Sequence, residues 1–242
     1  MSLLPVARLI EVLSRGEIAV TGQFMWGSNY TFFCNISLEE TELKAVYKPV
    51  RGERPLWDFP SESLSGREVA AYLVSELGGW GMVPPTVFRQ EAPAGAGSVQ
   101  LFVEHDPEYH FLNFSPEDRQ RARPVALFDV VVNNTDRKAG HVLIDEAGKL
   151  WLIDHGVCFH VQPKLRTVIW DFAGQPLTAA EQEQLMALRA GLAPEAELYR
   201  QLGDYLSRHE IQAMAGRIDK LLSAGEFPYP SEDWPSTPWP PV

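Results

Sequence analysis

Asn133-Asn134-Thr135-Asp136-Arg137-Lys138, followed by His141 and then by Trp151-Leu152-Ile153-Asp154-His155-Gly156, is the stretch on which the reading of this chain turns. Between the two acids, 141–144 and 150–153 read as short strands around the turn Asp145-Glu146-Ala147-Gly148, which makes a hairpin. Hairpin closure brings its two ends together, so Asp136 and Asp154 are expected to face one small volume. Apolar residues before Asp154 anchor its strand, and Gly156 lets the chain turn directly after it. Phosphoryl transfer needs such a pair of carboxylates: one to orient or deprotonate the attacking hydroxyl, the other to hold the metal on the nucleotide phosphates.

Upstream, strands are predicted over 18–24, 30–38 and 43–50, with a loop holding two glycines over 22–29. The third strand, Leu43-Lys44-Ala45-Val46-Tyr47-Lys48-Pro49-Val50, places Lys48 in an apolar setting. A loop with two prolines covers 51–62, and a helix of period near 3.6 runs over 66–77 to Gly78-Gly79. Residues 83–90 and 99–104 read as strands, 93–98 as a flexible turn, 105–114 as a connector and 3–14 as an amphipathic helix. Ser115-Pro116-Glu117-Asp118 has the form of a helix start, and that helix is expected to reach about Val131. The β-branched run Val130-Val131-Val132 leaves its end open. Further helices are predicted over 178–191, 194–206 and 208–223. The tail after them, with six of the chain's 19 prolines, reads as an extended arm. The first half is mostly β and the second mostly α, an asymmetry that suits two lobes with a cleft between them.

The two motifs together resemble those of the phosphatidylinositol 3-/4-kinase-like superfamily, most of all the compact type II phosphatidylinositol 4-kinases, which carry an Asn-Thr-Asp-Arg catalytic loop and a later apolar-apolar-Asp-x-Gly segment. The chain is also similar to small bacterial kinase-like proteins. The likeness is strong over about 133–157, lies more in element order than in residues over 17–104, and is faint in the C-terminal helices. It implies an α+β, bilobal, protein-kinase-like fold, with an N-lobe over 1–104, a C-lobe over 105–227 and a Pro/Trp-rich tail over 228–242. By position, it makes Asp136 the catalytic-loop aspartate and Asp154 the metal-binding aspartate. It makes Lys48 the lysine on the nucleotide phosphates and Glu68 that lysine's ion-pair partner. Gly27-Ser28-Asn29 become part of the phosphate-covering loop, and Leu101, Phe102, Val103 and Glu104 the adenine hinge. Arg137 or Lys138 would neutralise developing charge. The implied ligands are ATP and Mg²⁺ or Mn²⁺. The family's usual Asn, five positions after the catalytic Asp, is His141 here. Imidazole suits Mn²⁺ or Zn²⁺ better than Mg²⁺, so His141 is read either as a ligand to a softer metal or as a phosphate contact, with a purely structural role as the other possibility.

Plainer readings stand beside these. Lys48 can snorkel to water from an apolar strand, Glu68 beside Arg67 can belong to a solvated helix face, and His105, His110 and His155 can be satisfied loop histidines. Cys158 reads as a small core residue, Trp170 as packing, and the tail either as a docked arm or as a site for a protein partner. Composition narrows the classes further. The chain has 242 residues, 45% of them hydrophobic, with 21 Lys and Arg against 32 Asp and Glu, a net charge of -11. That acidity disfavours nucleic acid. The missing polybasic run and basic amphipathic helix disfavour a membrane surface. Two cysteines exclude a disulfide framework, which points to a reducing cytoplasm. The expected activity is ATP- and metal-dependent transfer of the γ-phosphate to a hydroxyl of an unidentified acceptor, a soluble small molecule or protein in preference to lipid. A nucleotide-binding pseudokinase acting as a regulatory module, or an AMP transferase, is the alternative.

Overall fold

A computed structural model describes residues 4–24 and 30–242; the predicted phosphate-covering residues Gly27, Ser28 and Asn29 lie outside the described residues. Helix α1 (Val6–Arg15) is followed by strands β1 (Glu17–Phe24), β2 (Thr31–Leu38) and β3 (Thr41–Pro49). Helix α2 (Leu64–Leu77) precedes β4 (Thr86–Arg89) and β5 (Gly97–Leu101). The five strands form one antiparallel sheet in the order β1-β2-β3-β5-β4.

Strand alternation explains the placement of Lys48. On β3, Leu43, Ala45, Tyr47 and Pro49 are buried while Lys44, Val46 and Lys48 point the other way. Leu43, Ala45 and Tyr47 join Val12 and Leu13 of α1, Cys34 and Ile36 of β2 and Val99 of β5 in a small core. Lys48 is therefore on the face turned away from that core. The predicted turn over 93–98 is shorter than expected, because Gly97 already pairs with Pro49 as the first residue of β5. A Cβ on Gly97 would stand 2.3 Å from the Lys48 carbonyl oxygen, so only glycine permits this pairing.

The C-lobe comprises α3 (Pro116–Arg121), α4 (Arg123–Val132), the hairpin β6 (Val142–Ile144) and β7 (Leu150–Leu152), then α5 (Ala179–Gly191), α6 (Glu197–Leu202) and α7 (Arg208–Ala224). Ser115 caps α3, its hydroxyl accepting from the Asp118 N–H. The single helix expected from there is two: the chain breaks at Ala122 and restarts before Pro124, which has no N–H to continue the ladder. Val130, Val131 and Val132 are helical despite their branching. Val131 and Val132 are fully buried in the main core, where packing against the neighbouring elements overrides propensity. Asn133 ends α4 in the left-handed conformation at φ 53°, which Asn tolerates. His141 falls in a 3-10 turn over Ala139–His141, not in the strand. The tail is docked on its own chain. The Ser236 carbonyl accepts from the Thr167 N–H at 3.0 Å and from the Trp170 indole at 3.1 Å, and the Pro241 carbonyl accepts from the Ala139 N–H at 2.8 Å. Among the described residues, no helix is long and apolar enough to cross a membrane.

Candidate active site

The hairpin β6–β7 forms as its sequence implies. The chain enters it from the Asp136 loop and leaves it at Asp154, and the Asp154 charge contributes to raising the Asp136 pKa. Burial is the main cause of that rise and Lys138 opposes it; the net effect pushes the Asp136 carboxyl up to about 6. The Lys138 ammonium is 3.7 Å from Asp136.

The Asp136 loop is built by its neighbours in sequence. The Asn134 side chain accepts from the Asp136 N–H at 2.9 Å and donates to Asp129 at 3.1 Å. The Thr135 hydroxyl donates to the Val157 carbonyl at 2.7 Å. Asn133 donates to the carbonyls of His160 and Gln162, tying the loop to the segment that follows Asp154.

Arg137 takes no part in the open site. Its side chain is 0% exposed and lies against Asp129, which is equally buried. All five of its donors are committed: to both Asp129 oxygens, to the His141 and Ile153 carbonyls, and to His155 Nε2 at 2.8 Å. Lys138, rather than Arg137, is a cation beside Asp136 that stays partly exposed.

Lys48 links the sheet to α2 and to the segment after β7. Its ammonium donates to Glu68 of α2 and, at 3.0 Å, to Asp154 beyond β7. Burial works against its charge, but Asp154 and Glu68 outweigh it and raise the pKa above the ordinary lysine value. Asp154 is held far below the usual carboxylate range, first by Lys48, against the effect of burial. Glu68 is no solvated face: its side chain is 3% exposed. Its second oxygen accepts from the His155 N–H at 2.9 Å. Arg67 is equally buried, paired with Glu210 of α7 and the Cys158 carbonyl. The turn at Asp154-His155-Gly156 differs in detail from expectation. Asp154 itself, at φ 61°, is in the left-handed region, whereas Gly156 has no positive φ. Gly156 instead lies against α2, where a Cβ would meet Leu64 at 3.4 Å.

His141 Nε2 is 3.4 Å from Asp154 Oδ2. Burial, aided by Arg137, Lys48 and Lys138 and opposed by Asp154, pushes the imidazole down to about 4, so it is neutral near pH 7. A carboxylate and a neutral imidazole at this spacing are able to share one cation. Among the described residues no group of three or more His, Cys, Asp or Glu converges for a metal. A divalent ion here would have two protein donors and complete its shell with phosphate oxygens and water, the usual arrangement for ions on nucleotides. The donor set therefore fits a nucleotide-borne divalent ion.

In the predicted hinge, the N–H groups of Leu101 and Phe102 are donated within the chain, to Pro85 and Lys44. Glu104 is exposed and paired with Lys44 at 2.5 Å. Sequence reasoning missed Asp129 and His155. Together with Arg137 they connect the Asp136 loop to Glu68 through the core. His155 read as an ordinary loop histidine, and Asp129 sits in an apolar helical run, where a lone buried acid was the available signal.

No family model matches the chain. It is 38% identical to Protein Rv2133c of Mycobacterium tuberculosis, with 95% of this chain and 94% of that protein covered. It is 31% identical to phosphatidylinositol 4-kinase gamma 4 of Oryza sativa subsp. japonica, over 54% of this chain and only 29% of that much longer protein. Among solved structures, hydra Fam20 with sugar superposes with a TM-score of 0.61 at 13% identity, covering 90% of this chain and 87% of that one. The Golgi casein kinase with Mn/ADP bound superposes with a TM-score of 0.54 at 15% identity, covering 90% and 75%. These likenesses establish a bilobal, kinase-like fold, and by identity and mutual coverage the chain belongs to the same family as Protein Rv2133c.

Proposed function

We propose that the protein is an ATP- and divalent-metal-dependent phosphotransferase acting on a hydroxyl group. The observation that carries this reading is Lys48, held charged between Glu68 of α2 and Asp154 beyond β7, with Asp136 at the far end of the same hairpin. In the mechanism, Lys48 binds the nucleotide phosphates, and the main chain at Val103 and Glu104 receives the base, with the Val103 carbonyl already paired to the His105 ring at 2.8 Å. Asp154 and His141 would hold the divalent ion, which supplies charge neutralisation on the phosphates when bound. Asp136 orients the acceptor hydroxyl and takes its proton. The acceptor oxygen bonds to the γ-phosphorus as that phosphorus parts from the ADP oxygen. Lys138 offsets charge beside Asp136, and Arg137 acts only by positioning the loop. The Golgi casein kinase, crystallised with Mn/ADP, supports the choice of ligands, and the partial match to a phosphatidylinositol 4-kinase supports the kinship read from the motifs.

The test is calorimetric titration of ATP with Mg²⁺, with Mn²⁺ and without metal, on the wild type and on Asp154→Ala. Metal-dependent binding that the variant loses is the expected result; no binding under any condition overturns the reading. A nucleotide-binding pseudokinase is the second reading, favoured by His141 in place of the usual Asn. Metal-dependent release of ADP from ATP separates the two, and label at the γ rather than the α position of ATP excludes AMP transfer.

A further inference from the structure

A cavity of about 330 Å³ lies against Thr135 and Asp136. Its wall is made by two regions distant in sequence, the 54–59 loop and the 164–166 segment, together with Trp234 of the tail. The chain carries a net charge of -11, yet this wall holds three bases, Arg54, Lys164 and Arg166, against two acids. One acid is Asp136. The other, Asp58, is neutralised by Lys164 at 2.6 Å. The Lys164 ammonium also lies over two indoles, 4.8 Å from the Trp57 ring and 5.3 Å from the Trp234 ring, so the loop and the tail meet on one cation.

Arg166 is fixed relative to Asp136 by its own backbone. Its N–H donates to the Asn134 carbonyl at 2.9 Å, and its carbonyl accepts from the Arg137 N–H at 3.0 Å. Two N–H groups on residues of this wall, Arg166 Nε and Trp234 Nε1, are buried without a hydrogen-bond partner among the described residues. Both are donors only, and an unmet buried donor is costly. A ligand bringing oxygen acceptors would satisfy them, and the guanidinium groups of Arg54 and Arg166 lining the same cavity as Asp136 select negative ones.

We propose that this cavity is the acceptor site, and that the acceptor is a small soluble alcohol carrying a phosphate or carboxylate group. Arg166 and Arg54 hold the anion, the hydroxyl faces Asp136, and Trp234 makes the C-terminal tail part of the site. This rests on the phosphotransferase reading. A soluble source is favoured over a lipid headgroup because an anionic bilayer repels so acidic a chain.

The first experiment titrates inorganic phosphate into the full-length protein saturated with Mg-ADP, so that the nucleotide subsites are filled. The wild type is expected to bind phosphate. Arg166→Gln and Arg54→Gln are expected to weaken that binding by about tenfold or more, while Lys48→Met retains it. Arg54 is exposed, so its variant opens no cavity in the core. Nucleotide binding without phosphate binding overturns the acceptor site alone, and no nucleotide binding overturns the parent reading with it. Phosphate binding lost in Lys48→Met but kept in both arginine variants also overturns the acceptor site. The second experiment offers γ-labelled ATP with glycerol, glycerol 3-phosphate or phosphatidylglycerol vesicles. Greater labelling of glycerol 3-phosphate supports the proposal. Equal labelling of glycerol overturns the anion requirement, and preferential labelling of the vesicles overturns the soluble source.

Discussion

Two ion pairs built from the same kinds of group do opposite work in this molecule. Arg137 and Asp129 are both 0% exposed and are locked to each other by a forked set of hydrogen bonds. Lys48 and Glu68 also pair, but the lysine side chain keeps 23% of its exposure and shares its ammonium with Asp154 beyond β7. Burial is what separates them. A guanidinium with all five donors spent inside the core has nothing left to offer a ligand, whereas an ammonium at the cleft can exchange a carboxylate for a phosphate. His155 joins the two, accepting from Arg137 and donating its N–H to Glu68, so the buried pair sets the geometry in which the open pair works.

The largest expected effect is on the buried pair. Arg137→Met leaves Asp129 as an unpaired buried charge and is expected to lower folding stability by about 3–5 kcal/mol. Urea denaturation measures it, and a loss under about 1 kcal/mol would show that the pair is not structural. At the open pair, Lys48→Met is expected to reduce kcat/KM for ATP by roughly 10²–10³ with a smaller change in the same denaturation curve, because the lysine end is open to water while Glu68 keeps the His155 N–H. Equal losses of stability in the two variants would erase the distinction drawn between them.

The acid limb of the rate comes next. In the proposed mechanism Asp136 works as a carboxylate, and burial pushes its pKa up to about 6. The rate is expected to fall about tenfold per pH unit below that point and to level off above it. Asp136→Asn should remove this limb as well as most of the rate; a limb that survives in the variant belongs to another group. The smallest effect is at a third pair, Lys44–Glu104, which is exposed on both sides at 58% and 62%. Glu104→Gln is expected to change stability by less than about 1 kcal/mol, and its ATP affinity, measured by calorimetry, tests the hinge directly.

Much of the architecture was legible because it rests on local signals. The alternation of β3, the Ser115 cap, the Asn-Thr-Asp-Arg loop and the Asp145–Gly148 turn each announce themselves within a few residues. The break at Ala122 was missed, although Pro124 marks it. Other features had no local signal. Arg67 and Glu68 are adjacent charges on a helix, and nothing in their neighbourhood shows that both are buried, one on Glu210 and the other on Lys48. Arg137 looks like a second catalytic cation beside Asp136 until Asp129 takes all that it has to give. Lys164, Arg166 and Trp234 carry no motif, and only the folding back of the tail brings them to one cavity.

By itself, then, the sequence determined which residues are candidates for the chemistry: two acids at the ends of one hairpin, a lysine in an apolar strand, and a histidine where the resembling family has an asparagine. Those are matters of residue type and short-range spacing, which turn, strand and helix periodicities translate directly. Tertiary structure alone decided which charges are spent inside and which remain for a ligand, because burial and pairing depend on groups far apart in the chain.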